Sequence, residues 1–263
     1  MKIGCQENMV PGANLIDRIK FLEDAGYDVI EFWGDLLWER TAEIKSAISK
    51  SKLQVSTICS GFRGCLLSND LGEREQAMND IKMLLQTAEE IGGLGLIVVP
   101  IFGQPRLPNL EPLYTVKQLE EELLIRMLQD LCENAKEHKV LILLEPLNRY
   151  LNKFLNTTEQ AVALCKRVKH PNLAMMADFF HMNIEEPDMA QSLRDAQPFL
   201  RHVHLADSNR YWPGRGHTDF RPGLETLKKI GYRDSLVLEC MTPKQDGAEL
   251  VRTARLLKSL LES

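Results

Sequence analysis

Short apolar runs alternate with longer segments of helical periodicity from one end of the chain to the other, and this alternation narrows the accessible folds more than any other feature. The runs are Lys2–Gln6, Asp28–Trp33, Gln54–Gly61, Gly95–Phe102, Val140–Leu147, Leu173–Phe180, His202–Ala206 and Ser235–Met241. Between them, apolar residues recur at helical spacing, as in Leu15, Ile16, Ile19 and Leu22, or in Leu119, Leu123, Leu124, Met127, Leu128 and Leu131. Several helical segments end in glycine just before the next run (DAGYDVIEFW, EIGGLGLIVV, KIGYRDSLVLE), as a left-handed C-cap requires. Strict alternation of this kind implies parallel strands joined by crossover helices. Eight such units in 263 residues match the length of a (β/α)8 TIM barrel. A doubly wound open sheet would favour a glycine-rich phosphate turn after its first strand, and ENMVPGAN lacks the G-x-G-x-x-G pattern. No linker, low-complexity tract or charge block divides the chain, so residues 1–263 are expected to form one barrel domain.

In a barrel, strands buried on both sides should be almost wholly apolar, and a polar residue near a strand end is costly unless paired. Four consecutive strands break the rule at the same end. VLILLEPL places Glu145 at the end of the fifth, and LAMMADFFH places Asp178 at the end of the sixth with His181 three residues on. RHVHLADSNR places His204 late in the seventh, followed by Asp207 and Arg210, and SLVLECM places Glu239 late in the eighth. Adjacent strands lie about 4.8 Å apart, so these side chains can converge on one point of one rim. Left alone, the carboxylates would raise one another's pKa, a conflict that a cation removes. Carboxylates with an imidazole suit a single divalent ion such as Mn²⁺, Mg²⁺, Co²⁺ or Zn²⁺. His202 competes with His204, since both face the same side of the strand; the later residue is nearer the rim and is preferred.

The net charge of −5, from 32 Lys+Arg against 37 Asp+Glu, argues against binding along a phosphate backbone. The six cysteines lack the short spacings of a zinc or disulfide framework, and Cys5, Cys59 and Cys240 lie in apolar runs as small buried hydrophobes. MKIGCQENM has no signal-peptide pattern, and no apolar run approaches the roughly 18 residues of a membrane span. The expectation is a cytoplasmic protein with no nucleic-acid or membrane partner.

The stretches LLEPLNRY (143–150), ADFFHMNIEE (177–186), HVHLADSNR (202–210), GRGHTDF (214–220) and LVLEC (236–240) together resemble the xylose-isomerase-like TIM barrels of the sugar phosphate isomerase/epimerase group. Within that group they are most similar to ketose 3-epimerases of the tagatose/psicose type. The resemblance implies that Glu145, Asp178, His204 and Glu239 bind one divalent metal, manganese first among the candidates. It implies that Glu145 and Glu239 also transfer protons, and that His181 and Arg210 contact substrate oxygens near C1 and C2. It further implies a small sugar or hydroxy-carbonyl substrate, an enediolate intermediate, and a homo-oligomer, dimer or tetramer. Aldose–ketose or hydroxypyruvate-type isomerisation uses the same constellation and is the alternative chemistry; a non-catalytic carbohydrate-binding barrel is the alternative class. Endonuclease-IV-like members of the same fold need extra histidines on the early strands, and the first four strands here carry none. One departure stands out. Where the epimerases read E-P-L-N-R-Y-E, this chain has Leu151, which cannot accept the hydrogen bond of a terminal sugar hydroxyl.

Other polar and aromatic positions carry weaker expectations. Glu31 either reaches the site from the second strand or pairs with a buried Lys or Arg. Trp33, Phe102, Tyr211 and Trp212 are candidates for the pocket wall or for core packing. His217 and Asp219 either order their glycine-containing loop, the preferred reading, or make a contact at the rim; Glu120, Glu121 and Glu122 are expected to form the solvated face of a helix. The long segments Phe102–Tyr114 and Asp207–Phe220 both follow strands, which assigns them to the functional rim of a barrel.

Overall fold

The computed structural model describes residues 1–241 and 245–262. The strands β1 (Lys2–Gln6), β2 (Val29–Trp33), β3 (Gln54–Cys59), β4 (Gly95–Val98), β5 (Leu141–Leu144), β6 (Leu173–Asp178), β7 (Leu200–Leu205) and β8 (Ser235–Leu238) pair in parallel, each with its sequence neighbour. β1 also pairs with β8, which closes the (β/α)8 barrel. Around it run α1 (Leu15–Ala25), α2 (Thr41–Ile48), α3 (Leu71–Ile91), α4 (Val116–Glu137), α5 (Thr158–Val168), α6 (Phe179–Glu185), α7 (Met189–Ala196), α8 (Phe220–Lys229) and α9 (Gly247–Glu262).

Helix starts follow local chemistry. The side chains of Asn14, Asp70, Thr115, Thr157, Asp188 and Asp219 each accept a hydrogen bond from a backbone N–H in the first turn of the helix that follows. Thr115 with Gln118 and Thr157 with Gln160 complete reciprocal capping boxes. α1 and α3 end on Gly26 and Gly92, both left-handed with φ near +80°. The expected apolar runs overshoot the ladders on the side where the site lies. β4 ends at Val98 because Pro100 has no N–H to donate, yet Val99 and Ile101 remain buried. Burial is what the run records, and pairing stops sooner.

Alternation along each strand divides the core in two. Ile142 and Leu144 of β5 face the helices within the large outer cluster, while Leu143 joins Cys59, Ile97, Ala174 and Met176 in a separate cluster inside the barrel. The interior phase continues toward the C-terminal ends of the strands: Leu143 leads to Glu145, Met176 to Asp178, His202 to His204 and Val237 to Glu239. The apolar cluster is therefore the floor on which the polar groups stand. The segments after β4 and β7 lie on this rim but are held differently. In the first, Phe102, Leu110, Leu113 and Tyr114 are exposed; the second is tied down by one buried aspartate, Asp207.

Candidate metal centre and sugar pocket

Glu145 and Glu239 are the first residues beyond their ladders. Their peptide N–H groups still donate to the neighbouring strands, to Val98 O at 3.2 Å and to Leu205 O at 3.3 Å. The strand geometry thus fixes both Cα positions. Asp178 ends β6 and caps α6, its Oδ1 accepting from Phe180 N at 2.8 Å while Oδ2 faces the interior. His204 lies opposite Asp178 in the β6–β7 register. Glu145, Asp178, His204 and Glu239 each offer a ligand atom, and these atoms all lie within 4.8 Å of one another. The strand-end pattern converges on one point, as the sequence suggests. Three carboxylates and one imidazole in so small a volume could hold a hard divalent cation.

Arg210 enters the same cluster. Its guanidinium donates to Asp178 Oδ2 and to Glu239 Oε2, and it lies over the Phe180 ring with 4.7 Å to the centroid. The electrostatic consequences differ between the carboxyls. Burial, then the neighbouring Glu239 and Asp178, push the Glu145 pKa well above its ordinary value. Burial also opposes ionisation of Asp178 and Glu239, but Arg210 and the nearby imidazoles outweigh it and hold both below the usual carboxylate range. His204 is raised despite burial because Glu31 and Glu239 flank it. Glu145 is the carboxyl left without an adjacent cation: the nearest imidazole nitrogen, His181 Nε2, is 4.0 Å away. A divalent ion would serve that group, which is the feature of the donor set that fits a metal best.

His181 is oriented by a residue to which the sequence reading gave no separate role. Both the peptide N–H and the side-chain amide of Asn148 lie against His181 Nδ1, at 3.3 and 2.8 Å. Nδ1 is then the acceptor, and Nε2–H points toward Asp178 and Glu145. Burial lowers the His181 pKa, so the ring is held neutral with a single donor aimed into the cluster. Asn148 sits within the quoted LLEPLNRY stretch, which was the available signal.

Of the two expectations for Glu31, contact with the site holds through His204 and pairing with a Lys or Arg does not. It is fully buried, and its partners are Gln6, Thr57, His202 and His204 rather than a Lys or Arg. His202 and His204 both point into the barrel, with ring centroids 5.0 Å apart. His204 alone bridges Glu31 to Glu239, so His202 belongs to the layer beneath.

Above the cluster opens a pocket of about 480 Å³ whose lining includes Gln6, Trp33, Asn148, Tyr150, Leu151, Phe180, His181, Ile184, Arg210, Glu239 and Met241. Trp33 forms part of the wall, whereas Trp212 is buried in the outer core, and Phe102 and Tyr211 are exposed outside this lining. Leu151 faces the pocket and is 43% exposed. Its carbonyl accepts from Gly103 N at 2.7 Å, which joins the rim loops after β4 and β5.

The loop after β7 is organised by Asp207. Its carboxylate accepts from the backbone N–H groups of Ser208, Gly214, Arg215 and Thr218. Burial opposes the charge, but these amides hold the Asp207 pKa below its ordinary value. The turn also closes through Arg210 N to Asp207 O at 2.8 Å, with Arg210 itself at φ +63°. Asp207→Asn is expected to destabilise the fold by about 1–3 kcal/mol, read from urea unfolding at neutral pH. The contribution is fully present above the ordinary carboxylate value of about 3.9 and is lost as pH falls through the lowered folded value. Equal unfolding midpoints for the two proteins at pH 7 would refute this role. His217 bonds Ser208 Oγ at 2.9 Å and Asp219 caps α8, so both serve the loop. The acidic run on α4 divides. Glu121 and Glu122 pair with Arg167 at the surface, but Glu120 is only 2% exposed and burial raises its pKa to about 7. It shares the buried face of Leu124 and Leu128, so the expectation of a solvated face fails there.

Residues 19–260 match the family model described as the xylose isomerase-like TIM barrel. The chain is 32% identical over 254 residues to the 3-dehydro-D-guloside 4-epimerase of Escherichia coli (strain K12), covering 96% of this chain and 97% of that one. It is 26% identical over 271 residues to the ketose 3-epimerase of Arthrobacter globiformis, covering 99% and 90% of the two chains. The crystal structure of 3-keto-D-glucoside 4-epimerase from E. coli, in its apo form, superposes with a TM-score of 0.88 at 31% identity and covers 100% of both chains. Among the described residues, no helix is long and apolar enough to cross a membrane.

Proposed function

Because the chain belongs to the xylose isomerase-like TIM barrel family and is a sugar epimerase within it, we propose that it inverts a carbon adjacent to a ketone through an enediolate. The observation that supports this reading is the convergence of Glu145 and Glu239, from β5 and β8, on one four-residue cluster that meets the pocket at Glu239. In this reading Glu145, Asp178, His204 and Glu239 hold one divalent ion, Mn²⁺ first among Mn²⁺, Mg²⁺, Co²⁺ and Zn²⁺. When bound, such an ion supplies Lewis-acid polarisation of the ketone and adjacent hydroxyl oxygens. One of Glu145 and Glu239 removes the α proton and the other returns a proton to the opposite face. The configuration of the substrate decides which acts as base. The Nε2–H of His181 donates to a substrate oxygen, its direction fixed by Asn148. Arg210, at the edge of the same cluster and in the pocket lining, offsets the negative charge that grows on oxygen. Trp33, Phe180 and Leu151 present apolar faces that exclude water and lie against C–H surfaces of the sugar.

A ketose 3-epimerase acting on a small unphosphorylated sugar follows directly. Leu151 supports a second substrate form for the same chemistry, a 3-keto glycoside inverted at C4. This is the type of molecule named for the relative matched along nearly its whole length. A glycoside carries an aglycone beyond the sugar ring, and the apolar side chain of Leu151 in the pocket lining suits such a group rather than a sugar hydroxyl.

Turnover of free ketoses and 3-keto glucosides in D₂O, with Mn²⁺ added to chelated protein, tests both forms. Inversion with deuterium at C3 of a ketose, or at C4 of a 3-keto glucoside, supports the proposal and identifies the form. Deuterium at C1 or C2 with a moved carbonyl would replace epimerisation by isomerisation. No exchange in any sugar, with metal bound, would overturn it.

A further inference from the structure

We propose that Glu31 is a positioning residue for the metal ligand His204, and that the buried set Glu31, Thr57, His202 and Gln6 exists to hold it in that role. The proposal rests on the metal-binding part of the functional reading and concerns a layer to which that reading assigns no work.

His204 has two nitrogens and a carboxylate against each. Nδ1 lies 3.0 Å from Glu239 Oε2, on the side of the cluster, and Nε2 lies 3.0 and 3.1 Å from the two oxygens of Glu31. A ligating imidazole presents one nitrogen as a lone pair and the other as N–H. With Nε2–H given to Glu31, a divalent ion that replaced the Nδ1 proton now bonded to Glu239 would meet the Nδ1 lone pair between Glu145, Asp178 and Glu239. A metal-bound histidine commonly donates its remote N–H to a carboxylate, which fixes the ring orientation and raises its basicity.

The surroundings of Glu31 show that its carboxylate is held on purpose. Gln6 Nε2 donates to Oε1 at 2.9 Å, His202 Nε2 to Oε2 at 3.0 Å, and the Thr57 hydroxyl also to Oε2. With His204, four donors from β1, β3 and β7 meet one carboxylate on β2 that has no exposure to solvent. His202 is informative. Its Nδ1 is buried with no hydrogen-bond partner, so the ring commits its one useful donor to Glu31. An amide at position 31 would turn an NH₂ group toward this ring of donors, so the site demands an acceptor on both oxygens.

The test is Mn²⁺ binding by chelated protein, measured by calorimetric titration, with the visible spectrum of the Co²⁺ form as a signature of ligand geometry. Glu31→Gln is expected to weaken Mn²⁺ binding by about 10- to 100-fold, and to shift the Co²⁺ bands. Thr57→Val, which removes one donor and keeps the shape, is expected to weaken binding less in the same direction. A folded Glu31→Gln protein that binds Mn²⁺ as the wild type does, with an unchanged Co²⁺ spectrum, overturns the proposal. If Glu31→Gln does not fold, Thr57→Val decides: unaltered binding together with a lowered melting temperature would make the layer merely structural. A wild-type protein that binds no divalent ion overturns the metal reading itself, and this inference with it.

Discussion

Glu239→Gln is expected to lower kcat by about 10²- to 10⁴-fold, the usual contribution of a positioned general acid or base. Glutamine retains the length and one acceptor oxygen of glutamate but cannot carry the proton. Glu239 is also a proposed ligand, so the measurement is made at saturating Mn²⁺, with bound metal quantified beside product formation. A variant that binds metal fully and still turns over as wild type would show that Glu239 does no proton transfer. Its exposure favours the role: the Glu239 side chain is 19% exposed and lines the pocket, whereas Asp178 beside it is sealed.

The second large effect belongs to Arg210 and appears without substrate. The guanidinium is the one permanent cation in contact with both Asp178 and Glu239 among the described residues. Arg210→Met keeps much of the stem that packs on Phe180 and removes the charge. The metal-free variant is expected to lose about 3–5 kcal/mol of stability, the typical cost of leaving buried charges unpaired. Mn²⁺ should restore part of it, about 2.7 kcal/mol at one hundred times Kd. Urea unfolding with and without Mn²⁺ makes the comparison. Equal stability of variant and wild type in chelator would mean that Arg210 does not offset the carboxylate charge.

The barrel was legible in the chain because each strand is buried on both faces and each helix on one, which writes two different periods into the residues. The four-residue cluster was legible for a related reason, since Glu145, Asp178, His204 and Glu239 are polar exactly where the strand pattern forbids it. Strand ends were less legible: apolar burial continues through Val99, Ile101 and Leu147 after pairing has stopped. Glu31 was visible as an anomaly, but its partners come from β1, β3 and β7, and no local spacing announces so distant a meeting. Glu120 is masked by its neighbours Glu121 and Glu122, although its i+4 relation to Leu124 places it on the inner face. In the sequence Asp207 stands out only as a polar residue after His204. Its role lies in backbone amides, which carry no side-chain signature.

The unequal anchoring of the two rim loops has a consequence for how this enzyme can diversify. The loop after β7 carries Arg210 and is bound to Asp207 through four peptide groups, so an insertion there would disturb the chemistry itself. The segment 102–114 is exposed along most of its length and is joined to the pocket wall by the Gly103–Leu151 hydrogen bond. A change in the length or sequence of that segment therefore leaves the positions of Glu145, Asp178, His204, Arg210 and Glu239 undisturbed.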